Sequence, residues 1–482
     1  MAVKPRVLMI FLYVILFAVV ESPLTFAQYA HDRVSLIKQM PLSEFGDKAN
    51  VGNDCWGYVS PSGREYALMG LYGKTAIVDI TDPVNAFIAA EIDHAKSDWS
   101  DIKVYKNFAY VCNESNQGTQ VLDLSLIDEG IVTHIRDLFP LTSHNLALNE
   151  ETGILYLCGS HSVSGGFIMY DLKPDPSDPT YLGYWRGAYN HDAQIVVMKR
   201  GPFKGREIAF CCSADQFLIL DMTDKPNGQT LSSSVYPDIS YCHQGWLSAD
   251  QRFFYLNDET DEIQGKTPTT RTIIFDVTNL RKPVYLGTFT SGFSSTDHNL
   301  YQRDNFIFEA NYRSGLQIFD ASDPVHPVHI GYFDTYPEND RPGYQGAWSV
   351  YPFFPSGTVI ISDINRGLFI LDVSEALNSS RIAIEQPALT HGSQTTFRAS
   401  NAAPNETTYF LYSMIGPGAT YVPSVNTMIG LNQPQLIGTE NADANGDASL
   451  SVLVPNNTAG LSIWFEVIND GRTSNVTEAR VN

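Results

Sequence analysis

Four histidines, His144, His191, His243 and His298, fall at successive intervals of roughly 47 to 55 residues, each at the start of an apolar, strand-like run. Imidazoles that converge with carboxylates can hold a divalent metal or serve as general acid and base. Carboxylates stand at matching places: Asp101 and Asp192 at run starts, and Glu114, the cluster Asp258-Glu259-Thr260-Asp261-Glu262 and Glu309 at run ends, with Arg313 close behind. His191, His243, Asp258 and Glu259 are the set a metal would take, with calcium or zinc as the cofactor. His144, His298, Asp192, Asp101, Glu309 and Arg313 complete the candidate ligand-facing group. A rival reading makes the same positions a belt of structural hydrogen bonds, because repetition suits a scaffold and an active site needs asymmetry. The acidic cluster likewise reads either as ligands or as a solvated loop. The sequence has no His-Glu-x-x-His pair, no Gly-x-Ser-x-Gly elbow, no P-loop, no Rossmann glycine fingerprint and no Cys-x-x-Cys.

What must position these groups is a repeat. Seven times an aliphatic or aromatic run closes on an aspartate: Asp79, Asp123, Asp171, Asp221, Asp276, Asp320 and Asp372. In Ile77-Val78-Asp79-Ile80-Thr81-Asp82-Pro83 and Ile318-Phe319-Asp320-Ala321-Ser322-Asp323-Pro324 the aspartate leads into a Thr/Ser-Asp-Pro turn. Such aspartates bond the turn backbone, and proline fixes φ there. A period of roughly 44 to 55 residues built from short β runs predicts an all-β, seven-bladed β-propeller with four runs to each blade. The histidines then begin inner strands and surround one mouth of a central channel. The seventh repeat lacks an outer run, whereas an orphan β-like segment, Arg33 to Met40, precedes the first. Placing that segment on the last blade closes the ring and removes exposed sheet edges.

The flanks carry different information. Lys4 and Arg6, an apolar stretch from Val7 to Val20 and Thr25-Phe26-Ala27 read as a signal peptide, 1–27, with the propeller over 28–380. The chain is then secreted, to the extracellular space, the cell surface or a periplasm, and the mature part has no membrane span. A net charge of -22 repels phosphate backbones and excludes nucleic acid as a partner. Export makes the six cysteines, Cys55, Cys112, Cys158, Cys211, Cys212 and Cys242, disulfide candidates gathered at one face. Cys212 to Cys242 and Cys55 to Cys112 are the preferred pairs, since each joins neighbouring blades. Residues 381–482 lose the repeat and alternate as a small C-terminal β-sandwich of Ig-like type. There Asp443-Ala444-Asn445-Gly446-Asp447 is a hairpin turn rather than a calcium loop.

The ordered motifs carry a resemblance. Cys55-Trp56-Gly57-Tyr58, Trp99-Ser100-Asp101-Ile102-Lys103, Ser143-His144-Asn145, Asn190-His191-Asp192, His243-Gln244-Gly245-Trp246-Leu247, Asp297-His298-Asn299-Leu300-Tyr301, Ala310-Asn311-Tyr312-Arg313-Ser314-Gly315-Leu316 and Gly346-Ala347-Trp348-Ser349 stand in this order. Over about residues 45 to 375 the chain resembles the choice-of-anchor B family of exported bacterial LVIVD-repeat propellers. The resemblance implies an exported or surface-attached protein and carries over no activity. The reading that follows is an extracytoplasmic binding or interaction module for an extracellular ligand or protein. The alternatives are a metal-assisted hydrolase or lyase at the histidine-lined face, and an acidic cell-surface or matrix structural protein.

Overall fold

The computed structural model describes residues 29–379, 381–385, 388–422, 427–470, 472–474 and 476–482. The expected signal peptide lies outside the described residues. The chain is all-β apart from short helical turns, and most of its strands belong to four-stranded antiparallel sheets.

Sheet 1 comprises Gly52–Val59, Glu65–Leu71, Lys74–Asp79 and Phe87–Asp93, and sheet 2 Ser100–Tyr105, Phe108–Asn113, Thr119–Asp123 and Thr133–Leu138. Sheets 3, 4 and 5 begin with Asn145–Asn149, Asp192–Val197 and Cys242–Leu247 and follow the same up-and-down order. Sheet 6 begins with Asn299–Arg303, and sheet 7 with Ala347–Tyr351. Each first strand lies against the first strand of the next sheet, and that of sheet 7 lies against that of sheet 1.

The repeat aspartate does one job throughout. In all seven copies its Oδ1 accepts the backbone N–H two residues on, as Asp79 does from Thr81 at 2.9 Å and Asp372 from Ser374 at 2.8 Å. This Asx turn ends the third strand and, in the first six copies, starts the connection to the fourth.

The seventh sheet is completed from the other end of the chain. Its outer strand is Ser35–Met40, antiparallel to Gly367–Asp372 with Ser35 opposite Asp372 and Met40 opposite Leu368. Val34 and Met40 are buried in the main core there. Where the other repeats run on into an outer strand, the chain after Asp372 forms a short helix, Ser374–Ser379, which packs on the fourth strand of sheet 6. One feature escaped the sequence: His31–Asp32 adds a fifth strand to sheet 6, pairing with Phe333 and Tyr332.

The expected disulfides are corrected by the structure: Cys55, Cys112, Cys158, Cys211, Cys212 and Cys242 are all buried free thiols. Cys55 and Cys112 lie in separate apolar clusters, and their thiols point to different carbonyls, of Ser349 at 3.7 Å and His144 at 3.5 Å. Cys212 and Cys242 share one cluster, and both are free thiols. All six behave as small hydrophobes, and burial raises the thiol pKa of Cys55, Cys112, Cys158, Cys211 and Cys212.

Beyond 381 two further sheets enclose a separate core with Phe397, Phe410, Phe465 and Val467, and a two-stranded hairpin packs Ile429 and Leu431 on Leu411 and Ile468 beside it. The Asp443–Asp447 segment is a turn, its Asp443 Oδ1 accepting the N–H of Asn445 at 2.7 Å and of Asp447 at 3.0 Å.

Candidate functional site

Because successive first strands are neighbours, residues at equivalent starts stack. His144, His191, His243 and His298 form one arc, with ring centroids 4.3, 4.3 and 4.4 Å apart. Trp348 continues the arc 5.0 Å from His298. His191, His243 and His298 are buried, while His144 keeps partial exposure and bonds Glu114 Oε1 through Nδ1 at 2.7 Å.

Each buried ring is latched to the next sheet. The Nδ1 of His191 meets the carbonyl of His243 at 3.1 Å, that of His243 the carbonyl of His298 at 3.2 Å, and that of His298 the carbonyl of Trp348 at 2.6 Å. A carbonyl only accepts, so Nδ1 carries the proton in all three. Burial, followed by repulsion from neighbouring imidazoles, drives His243 and His298 down to about 3, and it lowers His191 as well. The rings are therefore neutral, and Nε2 is a bare lone pair.

Two of those lone pairs, of His243 and His298, converge on Glu259; His191 and Asp258, expected in the metal set, are not part of this cluster. His243 Nε2 and His298 Nε2 each lie 3.7 Å from a carboxylate oxygen of Glu259, and the three donor atoms all fall within 4.8 Å of one another. Tyr312 donates its hydroxyl to Glu259 Oε1 at 2.7 Å, and its ring lies 4.5 Å from that of His298. Tyr312 has φ of 36°, a conformation that costs an aromatic L-residue about 1–3 kcal/mol. Its carbonyl accepts the N–H of Ala347 at 2.8 Å, and Gly346 (φ 96°) packs so close to that carbonyl that a Cβ would lie 2.3 Å away.

The other candidates have structural partners. Asp258 accepts the hydroxyl of Tyr236 at 2.9 Å and the N–H groups of Ser240 and Tyr241 at 2.7 Å each, so it shapes the loop beside Glu259. Asp101 accepts Lys103 Nζ at 2.5 Å and the N–H of Leu146 at 2.6 Å, tying sheet 2 to sheet 3. Asp54, Gln194 and Gln244 make the same kind of tie to Ile102, Leu247 and Leu300. Glu309 is buried between Thr272, whose hydroxyl it accepts, and the Asn311 amide at 2.8 Å; burial pushes it up to about 7. Arg313 donates to Asn339 Oδ1 at 3.1 Å and to the Arg341 carbonyl at 3.2 Å, which fixes it on the 339–345 loop.

Asp192, directly after His191, begins its inner strand and lines a cavity of about 530 Å³ that follows the inner strands to their other ends, where Glu150, Val197 and Phe353 also line it. Trp56, Trp246, Tyr301, Tyr351 and Phe353 wall that cavity, and Lys103 also lines it. Burial and then Asp101 push Asp192 up to about 7. Sequence reasoning missed Tyr312, Lys103 and this aromatic cavity. The signal for Tyr312 was a bulky ring at a position where other repeats carry Ser160 or Ala214.

The LVIVD repeat, a β-propeller-type repeat, matches residues 98–125 and 303–335, within sheets 2 and 6. No curated protein matches the chain. Among solved structures it is similar to hydrazine synthase of Kuenenia stuttgartiensis, at 12% identity and a TM-score of 0.46 over 67% of this chain and 96% of that one. PorZ, a surface component of the type-IX secretion system of Porphyromonas gingivalis, is 10% identical with a TM-score of 0.42, over 91% of this chain and 60% of that one. The periplasmic gluconolactonase PpgL of Pseudomonas aeruginosa is 11% identical with a TM-score of 0.42, over 59% and 86%. Likenesses this low say nothing of activity or partner.

Proposed function

We propose that residues 28–380 form a closed seven-bladed β-propeller, that 381–482 form an Ig-like sandwich, and that the chain is an exported binding module whose histidine-lined mouth takes a divalent metal. Seven sheets with cyclically neighbouring first strands support the closure. The charged start, apolar stretch and Thr25-Phe26-Ala27 site support export, as does the resemblance to choice-of-anchor B proteins. No helix among the described residues is long and apolar enough to cross a membrane.

The observation that carries the metal reading is the convergence of His243 Nε2, His298 Nε2 and Glu259. Two imidazole nitrogens and one carboxylate make a zinc-type donor set that leaves a coordination position for a ligand. The Nδ1 bonds to carbonyls supply the orientation that metal-bound histidines require, and Tyr312 does the same for Glu259. The latching role and the ligand role thus use different nitrogens of the same rings. The partner is an extracellular molecule with a donor atom for the open position.

Zinc titration of the chelator-stripped mature chain tests this. One zinc per chain is expected, with affinity falling at least about 10-fold in Glu259→Gln and His298→Ala. Equal affinity in wild type and both variants, or no stoichiometric zinc, overturns the reading.

A further inference from the structure

A second cluster lies close by in sequence and has a different chemistry. Asp261, Glu262 and Asp297 are buried at 0, 4 and 0% exposure, with donor oxygens all within 4.8 Å of one another. Both oxygens of Glu262, Oδ1 of Asp261 and Oδ1 of Asp297 have no hydrogen-bond partner among the described residues. Ionised carboxylates stripped of water are costly unless a cation or hydrogen bonds replace the solvent. One cation is present: Arg271 gives Nε to Asp261 Oδ2, while its other nitrogens reach the carbonyls of Pro237 and Asp238 at 3.1 Å each. Its backbone N–H meets Asp297 Oδ2 at 3.1 Å. With all three ionised, three carboxylates against one guanidinium would leave two negative charges uncompensated, centred on the four bare oxygens.

We propose that Asp261, Glu262 and Asp297 bind a calcium ion. The donor set is all oxygen and anionic, which suits a hard cation and not a thiophilic or imidazole-seeking one. Oxygens within 4.8 Å of one another can share one ion, since two calcium–oxygen bonds of about 2.4 Å span at most about that distance. Glu262, nine-tenths buried with both oxygens bare, is the group that only a cation or a proton satisfies. The site ties two segments that serve the histidine mouth: Asp297 immediately precedes His298, and Asp261 follows Glu259 by two residues. Calcium would therefore fix the separation of Glu259 from His298. That consequence rests on the metal reading above; calcium binding itself does not.

The test is thermal unfolding of the full mature chain at pH 8, stripped with chelator and then given 1 mM calcium, alongside Glu262→Gln and Asp297→Asn. Wild type should gain roughly 5 °C or more in Tm, and both variants should lose that response. In chelator, Glu262→Gln should be at least as stable as wild type, because a neutral isostere relieves the unpaired charge. A wild-type chain indifferent to calcium would show that protons occupy the cluster, and the proposal falls. Variants that respond like wild type would place calcium elsewhere and overturn it equally. His243→Ala separates this outcome from the zinc reading, since it should retain the calcium response whether or not zinc binds.

Discussion

Replacing Lys103 with methionine removes the charge at the floor of the aromatic cavity. Lys103 Nζ lies 2.5 Å from Asp101 Oδ1, 3.8 Å from Asp54 Oδ2 and 4.4 Å from the centroid of the Trp56 ring. All three charged side chains are buried. Burial alone would lower the Lys103 pKa, yet Asp101 and Asp54 together hold it well above its ordinary value. Burial raises Asp54, and Lys103 is the largest influence opposing that rise. The Lys103–Asp54 pair, at about 4 Å, gains roughly 4 kcal/mol at an effective dielectric of about 20 and the shorter Lys103–Asp101 pair gains more, and desolvation consumes most of it. Breaking a buried pair leaves the partner uncompensated, so Lys103→Met should cost about 3–5 kcal/mol at pH 8. The sign with pH follows from Asp54. With Lys103 gone its folded pKa rises further above the unfolded value, so the folded variant binds the extra proton and its deficit shrinks as pH falls. Urea unfolding of wild type, Lys103→Met and the double variant Asp54→Asn/Lys103→Met at pH 8 and pH 5 reads both effects. The double variant should recover at least about 1 kcal/mol of the loss. A Lys103→Met chain within about 1 kcal/mol of wild type at pH 8, or a deficit unchanged at pH 5, would refute the buried-charge account.

Deleting residues 28–40 should destabilise the whole ring, because it strips the outer strand from sheet 7 and uncovers the pockets of Val34 and Met40. Two lost core side chains alone are worth roughly 4 kcal/mol or more, so a melting curve superimposable on that of the intact chain would show that the strand is not a closing element. Glu309→Gln should remove a pH dependence: the wild-type carboxyl, raised to about 7, keeps its proton when folded, so its contribution is complete below the unfolded value of about 4.3 and is lost as pH rises to 7. The difference between the two chains should change by about 3 kcal/mol between pH 4.5 and pH 7.5, and parallel stability profiles would contradict the burial of Glu309.

Repetition decides what the sequence makes legible. The seven aspartates could be read as turn builders because the Asx bond needs only the residue and its next two neighbours, and all seven make it. The orphan strand could be assigned by counting, since an unpaired edge is costly wherever it falls. The histidine arc was visible for the same reason, and so was the ambiguity about its role. A repeated residue shows where its backbone-latching atom goes, here Nδ1 to the next carbonyl, and nothing of the other ring nitrogen. What turns Nε2 toward a common point is a departure from the repeat: the long 259–271 connection that delivers Glu259, and Tyr312 in a strained conformation that holds it. The cysteines failed in the complementary way. Shared location at one end of the sheets suggested pairing, but bridging needs Cβ vectors that face each other, and Cys55 and Cys112 instead point into separate apolar clusters. The proposed metal site therefore lies where the seven copies stop agreeing, and variants at Glu259 and Tyr312 should separate binding from folding more cleanly than variants at the histidines, whose latches serve both.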